Sequence, residues 1–351
     1  MKGKIEGSKK TKIYIIISIL ISLTVIGLIL YLTIGPEDIN QIKQHKIKYE
    51  FFILAVFVHI TSWFIWGARL KIISNTVDKK LKISLWRSTK IIIANLFLAC
   101  ITPSMAGGEP VRIHLLKKEG MSIGGATAAT LGERLIDAIF ILICVPIAFF
   151  VFQENIEDYN IKFGVMIGII VFMIGVILFA YAIKKPKKVK KFIIKINKKF
   201  SKTKDKEGKI AKKINTEVDN FHKSMKFFIQ ESKKTFLIGG ILTVLFWSTA
   251  FSVASLILLG LNLNPFIIES YAAQILLLVI VMLPTLPGSA GITEGGIYGL
   301  YIILIGETFI GIFVLLFRFV TYYLNLIAGS IFQYRIFKSV ASFSLEKINR
   351  D

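Results

Sequence analysis

A series of apolar runs, each as long as a bilayer is thick, constrains this chain more than any other feature. Residues 13–34, 51–73, 123–152, 163–183, 236–261 and 317–337 each hold enough apolar residues to cross a hydrocarbon core as a helix. Inside hydrocarbon every backbone N–H and C=O must be paired within its own segment, so helices are the expected form. The 54% hydrophobic content of the 351 residues exceeds what a soluble chain of this size carries. The chain therefore reads as an all-α, multi-pass protein of the cell membrane with about six full spans. The start is basic and then apolar from 13 to 34. That run is too long for a signal-peptide core and no small-x-small cleavage site follows, so it reads as a retained first span.

Two further apolar regions are interrupted. One covers 91–116 and breaks at Pro103-Ser104-Met105-Ala106-Gly107-Gly108-Glu109. The other covers 267–312 and breaks around Pro284 and at Pro287-Gly288-Ser289-Ala290-Gly291-Ile292-Thr293-Glu294. Arg134 follows Pro103 by 31 residues, and Arg318 follows Pro287 by 31 residues. Helix breaks in matching positions of two halves are expected where a membrane protein builds a polar site at the bilayer midplane.

The charge pattern gives a topology. The net charge is +22, and residues 184–234 alone carry nineteen Lys against five acidic residues. Because that block lies between spans, the excess of cytoplasmic Lys and Arg in membrane proteins explains it without nucleic acid. The reading divides the chain into a cytoplasmic basic N-terminus (1–12), a first membrane half (13–183), a cytoplasmic basic segment (184–234), a second membrane half (235–338) and a cytoplasmic tail (339–351). The first broken region then enters from the cytoplasm and the second from outside, as re-entrant hairpins of a possible inverted repeat. Phe192, Ile193, Ile196 and Phe200, and later Val218, Phe221, Met225 and Phe228, recur at helical spacing among lysines. They suggest interfacial helices on an anionic lipid surface.

Polar groups inside the apolar runs carry the functional reading. Each charge at the centre of a span costs ~2.5–3.5 kcal/mol on insertion scales, so it is expected to pair or to face a cavity. Glu133 and Asp137 are four apart and share a helix face, and Arg134 and Asp137 can pair at i, i+3. Arg318, Tyr322 and Asn325 fall on one stripe. Gly107 and Gly108 free backbone groups, the start of a helix at Glu109 attracts anions, and the planar fork of Arg112 suits phosphate. Ser289 and Glu294 are the matching polar groups of the second break. Trp63, Trp66, Arg69 and Trp86 read as interface anchors, with Arg69 snorkelling. The candidate substrate-binding set is Gly107, Gly108, Glu109, Arg112, Glu133, Arg134, Asp137, Ser289, Glu294, Arg318 and Tyr322.

As a set, Asn95 to Arg112 (with Thr102-Pro103 and Gly107-Gly108-Glu109), Glu133-Arg134-Asp137, Leu286-Pro287-Gly288-Ser289, Glu294-Gly295-Gly296 and Arg318 resemble the lysylphosphatidylglycerol synthase transmembrane family. The resemblance covers nearly the whole chain and marks it as similar to flippase-like proteins. It implies translocation of a phospholipid or lipid-linked headgroup. The chain ends soon after its last span, so the soluble synthase activity is not carried over.

No GxxxxGK[ST] phosphate loop is present, so transport is expected to be passive or ion-coupled. No cofactor or metal site is expected: the four histidines are scattered, and Cys100 and Cys144 lie in separate apolar runs. Two other functions stay open. One is a membrane-embedded transferase on a lipid-linked substrate, with Glu133 or Asp137 as general base. The other is an accessory subunit whose basic segment recruits a partner.

Overall fold

The computed structural model describes residues 45–102, 108–152, 233–281 and 289–332, with scattered positions within 20–31, 163–181 and 216–226. Among the described residues all regular structure is helical. Gly107, Pro103, Pro287 and Gly288 lie outside them, as do the basic segment and the spans 13–34 and 163–183 apart from scattered positions, and the tail 339–351 entirely.

Among the described residues three unbroken helices are long enough to cross a membrane: α1 (Tyr49–Val77), α4 (Ile123–Phe152) and α5 (Lys233–Gly260). At 1.5 Å per residue each runs to more than about 40 Å, beyond the ~30 Å apolar thickness. A fourth candidate span, Ile292–Phe332, is not straight. Its first part is α7 (Ile292–Arg318), in which Gly306 has φ 71° and ψ −179°. A π-helical turn follows at Phe319–Tyr323, and the chain is helical again to Phe332.

The other helices described in full are short. α2 (Leu85–Ile101) and α3 (Gly108–Lys118) flank the first break, and α6 (Ile267–Val281) precedes the second. Their lengths are roughly 25, 16 and 22 Å, too short to cross alone. The ends have local causes. Ser84 caps α2 by accepting from the backbone N–H of Arg87 at 3.3 Å. At the other end Thr102 is extended, at φ −115° and ψ 147°, as the residue before a proline must be. α3 closes in a Schellman turn: Gly120 takes φ 110°, and the Met121 amide donates to Leu116 O at 3.2 Å.

The expectation of a last span at 317–337, separate from a broken region ending at 312, is corrected. The described helix runs through 312–317 without interruption, and the change of direction lies at Gly306. Gly306 supplies the positive φ at little cost, and nothing lies within 4 Å of where its Cβ would be.

The helices interleave the two halves of the sequence. α1 packs along α5, where Gly260 leaves room for the Phe52 ring. α6 packs against α4 and is tied to α5 by Gln274 Nε2 donating to Phe251 O at 2.6 Å. The last helix reaches back to α2, where Gly329 lies against Phe97. In lipid, where apolar burial alone does not drive association, close approach at such small residues holds helices together.

Candidate functional site

The centre of the first half is a network of three arginines and three carboxylates drawn from α1, α3 and α4. Glu133 and Asp137 sit one turn apart on α4, and both are buried. Arg69 reaches them from α1 and is fully enclosed. Its Nε donates to Glu133 Oε1 at 3.1 Å, its Nη1 to Asp137 Oδ1 at 2.6 Å and its Nη2 to Asp137 Oδ2 at 3.2 Å. Nη1 also donates to Thr243 Oγ1 on α5 at 2.7 Å. Arg112, on α3 and likewise fully buried, donates from Nη1 to Glu133 Oε2 at 2.7 Å. Arg134 lies at the rim: it donates to Glu109 Oε1 from Nη2 at 2.6 Å and from Nε at 3.0 Å, and to Asp137 Oδ2 at 3.4 Å. Trp247 Nε1 adds a donor to Asp137 Oδ1 at 3.3 Å.

Trp66, one turn before Arg69 on α1, underlies this network. The guanidinium carbons of Arg69, Arg112 and Arg134 lie 5.9, 5.6 and 5.9 Å from its ring centroid. A tryptophan face favours a cation at this range.

The second half builds a smaller pair at the start of α7. Glu294 is at the third position of that helix and accepts from the Gly291 backbone N–H at 2.7 Å, closing a capping box. Its other oxygen lies 2.9 Å from Arg318 Nε, and both side chains are buried. Arg318 Cζ sits 4.1 Å from the Tyr322 ring centroid, inside the π-helical turn. Tyr322 OH donates to Cys100 O at 3.3 Å, joining this pair to the last turn of α2 beside the first break. Ser289 is buried at φ 51°, and its carbonyl accepts from Thr293 N at 3.0 Å and from Thr293 Oγ1 at 2.9 Å.

The structure thus joins Glu109, Arg112, Glu133, Arg134 and Asp137 in one network, and Ser289, Glu294, Arg318 and Tyr322 at another. Gly108 begins α3 against Asn95, where a side chain would collide with Asn95 Oδ1, so its contribution is close packing. Asn325, expected on a stripe with Arg318 and Tyr322, bonds α1 instead: its Oδ1 accepts from Trp63 Nε1 and lies 3.1 Å from His59 Nε2.

The reading of Trp63, Trp66 and Arg69 as interface anchors is overturned. All three are buried and hold the polar interior together, whereas Trp86 is exposed. One sequence signal called for a further cation without saying which. Glu133 and Asp137 bring two negative charges against the single Arg134 beside them, so a further cation from another span was required. Among the described residues no group of three or more His, Cys, Asp and Glu could hold a metal ion.

A bundle of long apolar helices enclosing paired charges defines a multi-span helical membrane protein. Residues 15–329 match the lysylphosphatidylglycerol synthase TM region, and the chain belongs to that family. It is similar to a UPF0104 membrane protein of Archaeoglobus fulgidus, 29% identical over 92% of this chain and 97% of that protein. A UPF0104 membrane protein of Methanothermobacter thermautotrophicus is 25% identical over 68% of this chain and 69% of that one. No solved structure matches.

Proposed function

We propose that the chain translocates a phospholipid or lipid-linked headgroup across the cell membrane, passing it through the polar interior while the acyl chains stay in lipid. The supporting observation is the set of buried arginines with unspent hydrogen-bonding capacity. Arg112 Nε and Nη2 and Arg318 Nη2 are buried with no partner among the described residues. Replacing buried ion pairs with apolar side chains is often neutral or stabilising, so their presence argues for use rather than for stability. Donors held at hydrogen-bonding readiness are what a polar headgroup needs on leaving water.

In this reading the two broken regions are re-entrant hairpins of opposed orientation, with both termini and the basic segment 184–234 on the cytoplasmic side against anionic lipid. The short α2, α3 and α6, the bend at Gly306 and the two Glu–Arg pairs beside the breaks support it. Rocking of one hairpin unit against the other would open the Arg112 and Arg318 groups to each leaflet in turn.

The test is reconstitution of the full chain in vesicles holding fluorescent lipids, with quencher added outside. Labelled phospholipid should become accessible from the inner leaflet, and Arg112→Gln with Arg318→Gln should abolish this. No movement of any lipid class under any ion gradient would sink the proposal. Product formation by detergent-solubilised protein would instead indicate a transferase.

A further inference from the structure

Donors and acceptors in the first-half network do not balance. Both oxygens of Glu133 and both of Asp137 are engaged, and Arg69 alone takes three of those four. The surplus is on the other side. Among the described residues Arg112 Nε and Nη2 have no partner, and Trp66 Nε1 beneath it is also buried without one. The Trp66 face already has three guanidinium carbons within 6 Å, so it is poorly placed to receive another cation. Asn95 Oδ1, against Gly108, is an acceptor without a partner among the described residues, but it is uncharged.

We infer that the free edge of Arg112, floored by Trp66, is a subsite for a phosphate oxyanion that refuses an ammonium group, and that Arg69 is the positioning residue enforcing this choice. The inference rests on the headgroup reading above and narrows it to headgroups recognised by phosphate. A phosphate offers several acceptor oxygens and full charge, matching a guanidinium edge. An ammonium would need a carboxylate oxygen, and Arg69 holds three of the four on Glu133 and Asp137 while Arg112 itself holds the fourth; the Glu109 carboxylate lies at the rim against Arg134. The charges of Arg69, Arg112 and Arg134 balance those of Glu109, Glu133 and Asp137. Removing the Arg69 charge leaves an excess negative charge and two carboxylates open to a cation.

The experiment measures the thermal unfolding midpoint of the full chain in a neutral maltoside detergent, titrated with four probes. These are phosphatidic acid, a dialkyl dimethylammonium lipid without phosphate, a glucosyl diacylglycerol and inorganic phosphate. A ligand that binds the folded state raises the midpoint with concentration. For the wild-type chain phosphatidic acid should half-saturate at a concentration at least about tenfold lower than the ammonium lipid, the scale of a charge-assisted hydrogen bond. The glucosyl lipid should have no effect. Arg112→Gln should remove the preference. Arg69→Gln should reverse it, and Arg69→Lys, which cannot span both carboxylates, should bring the two probes towards parity. The Lys variant carries that arm if the Gln variant does not fold.

Equal half-saturation by inorganic phosphate assigns the subsite to free phosphate, and a response to the lipid alone assigns it to a headgroup. Both outcomes support the phosphate chemistry. Equal or tighter binding of the ammonium lipid by the wild-type chain overturns it, as does an unchanged preference in the Arg69 variants. Preference without lipid movement in vesicles defeats the translocation reading and leaves this one, and movement without preference does the reverse.

Discussion

Two helix breaks, each with a glutamate and a downstream arginine, handle the same electrostatic problem in different ways. In the first half the Arg134 and Glu109 side chains are 38% and 31% exposed, and their pair is the rim of a network of six charges. In the second half Arg318 and Glu294 are 3% and 0% exposed, and their pair closes on a capping turn and the ring of Tyr322. Sharing Glu133 and Asp137 between two arginines each spreads the desolvation cost of the first site. The second relies on a backbone N–H and an aromatic face. The first site therefore hinges on one carboxylate, whereas the second can be emptied as a unit.

The largest effect separating them is expected at Glu133, the one carboxylate joining Arg69 to Arg112. Glu133→Ala leaves two fully buried guanidiniums short of a partner. It should cost at least the ~3–5 kcal/mol typical of breaking a buried pair. Glu294→Ala exposes only Arg318 to this loss and should cost less. Thermal unfolding of both variants in the same detergent ranks them. A greater loss in Glu294→Ala would reverse the account of which half hinges on one side chain.

Next comes removal of the second pair together. Arg318→Met alone leaves Glu294 with its cap and no cation, whereas Glu294→Met with Arg318→Met replaces the pair by apolar side chains of similar volume. The double variant should recover most of the several kcal/mol lost by either single one. It should nonetheless move no labelled lipid in vesicles. Retained transport in a stable double variant would make the pair a structural staple.

A third, smaller effect concerns the bend that has no counterpart described in the first half. Gly306→Ala has space for its Cβ, so its cost is the backbone alone, a positive φ with extended ψ that is essentially reserved for glycine, ~1–3 kcal/mol. A loss well above that in the unfolding midpoint would mean that Gly306 also makes a packing contact.

The long helices were legible because hydropathy and length leave no other fold for such segments in lipid. The end of α2 was legible from Thr102-Pro103, and the placing of one arginine after each break from the repeated 31-residue interval between proline and arginine. Arg69 was not legible as a buried partner. A single arginine near the end of an apolar run can snorkel cheaply, and Glu133 lies 64 residues away in sequence. Trp63 was misread for the same reason, since its partner Asn325 is 262 residues distant. The bend at Gly306 was hidden because glycine is common in membrane helices, and sequence does not mark which one takes a left-handed φ.

The smallest expected effect lies at the rim and tests the contrast in exposure directly. Glu109→Gln removes the main partner of Arg134, but both side chains are part-exposed and Arg134 keeps its 3.4 Å contact to Asp137. A pair at such a position contributes under about 1 kcal/mol, and raised salt weakens it. The unfolding midpoint of the variant should therefore lie slightly below that of wild type in low salt and converge on it in high salt. The Glu294 variant should show no such convergence, because solution ions do not screen a fully enclosed pair. If the Glu109 variant instead loses several kcal/mol at every ionic strength, the Arg134 rim belongs energetically to the buried network, and the difference between the two halves shrinks to the number of charges each one shares.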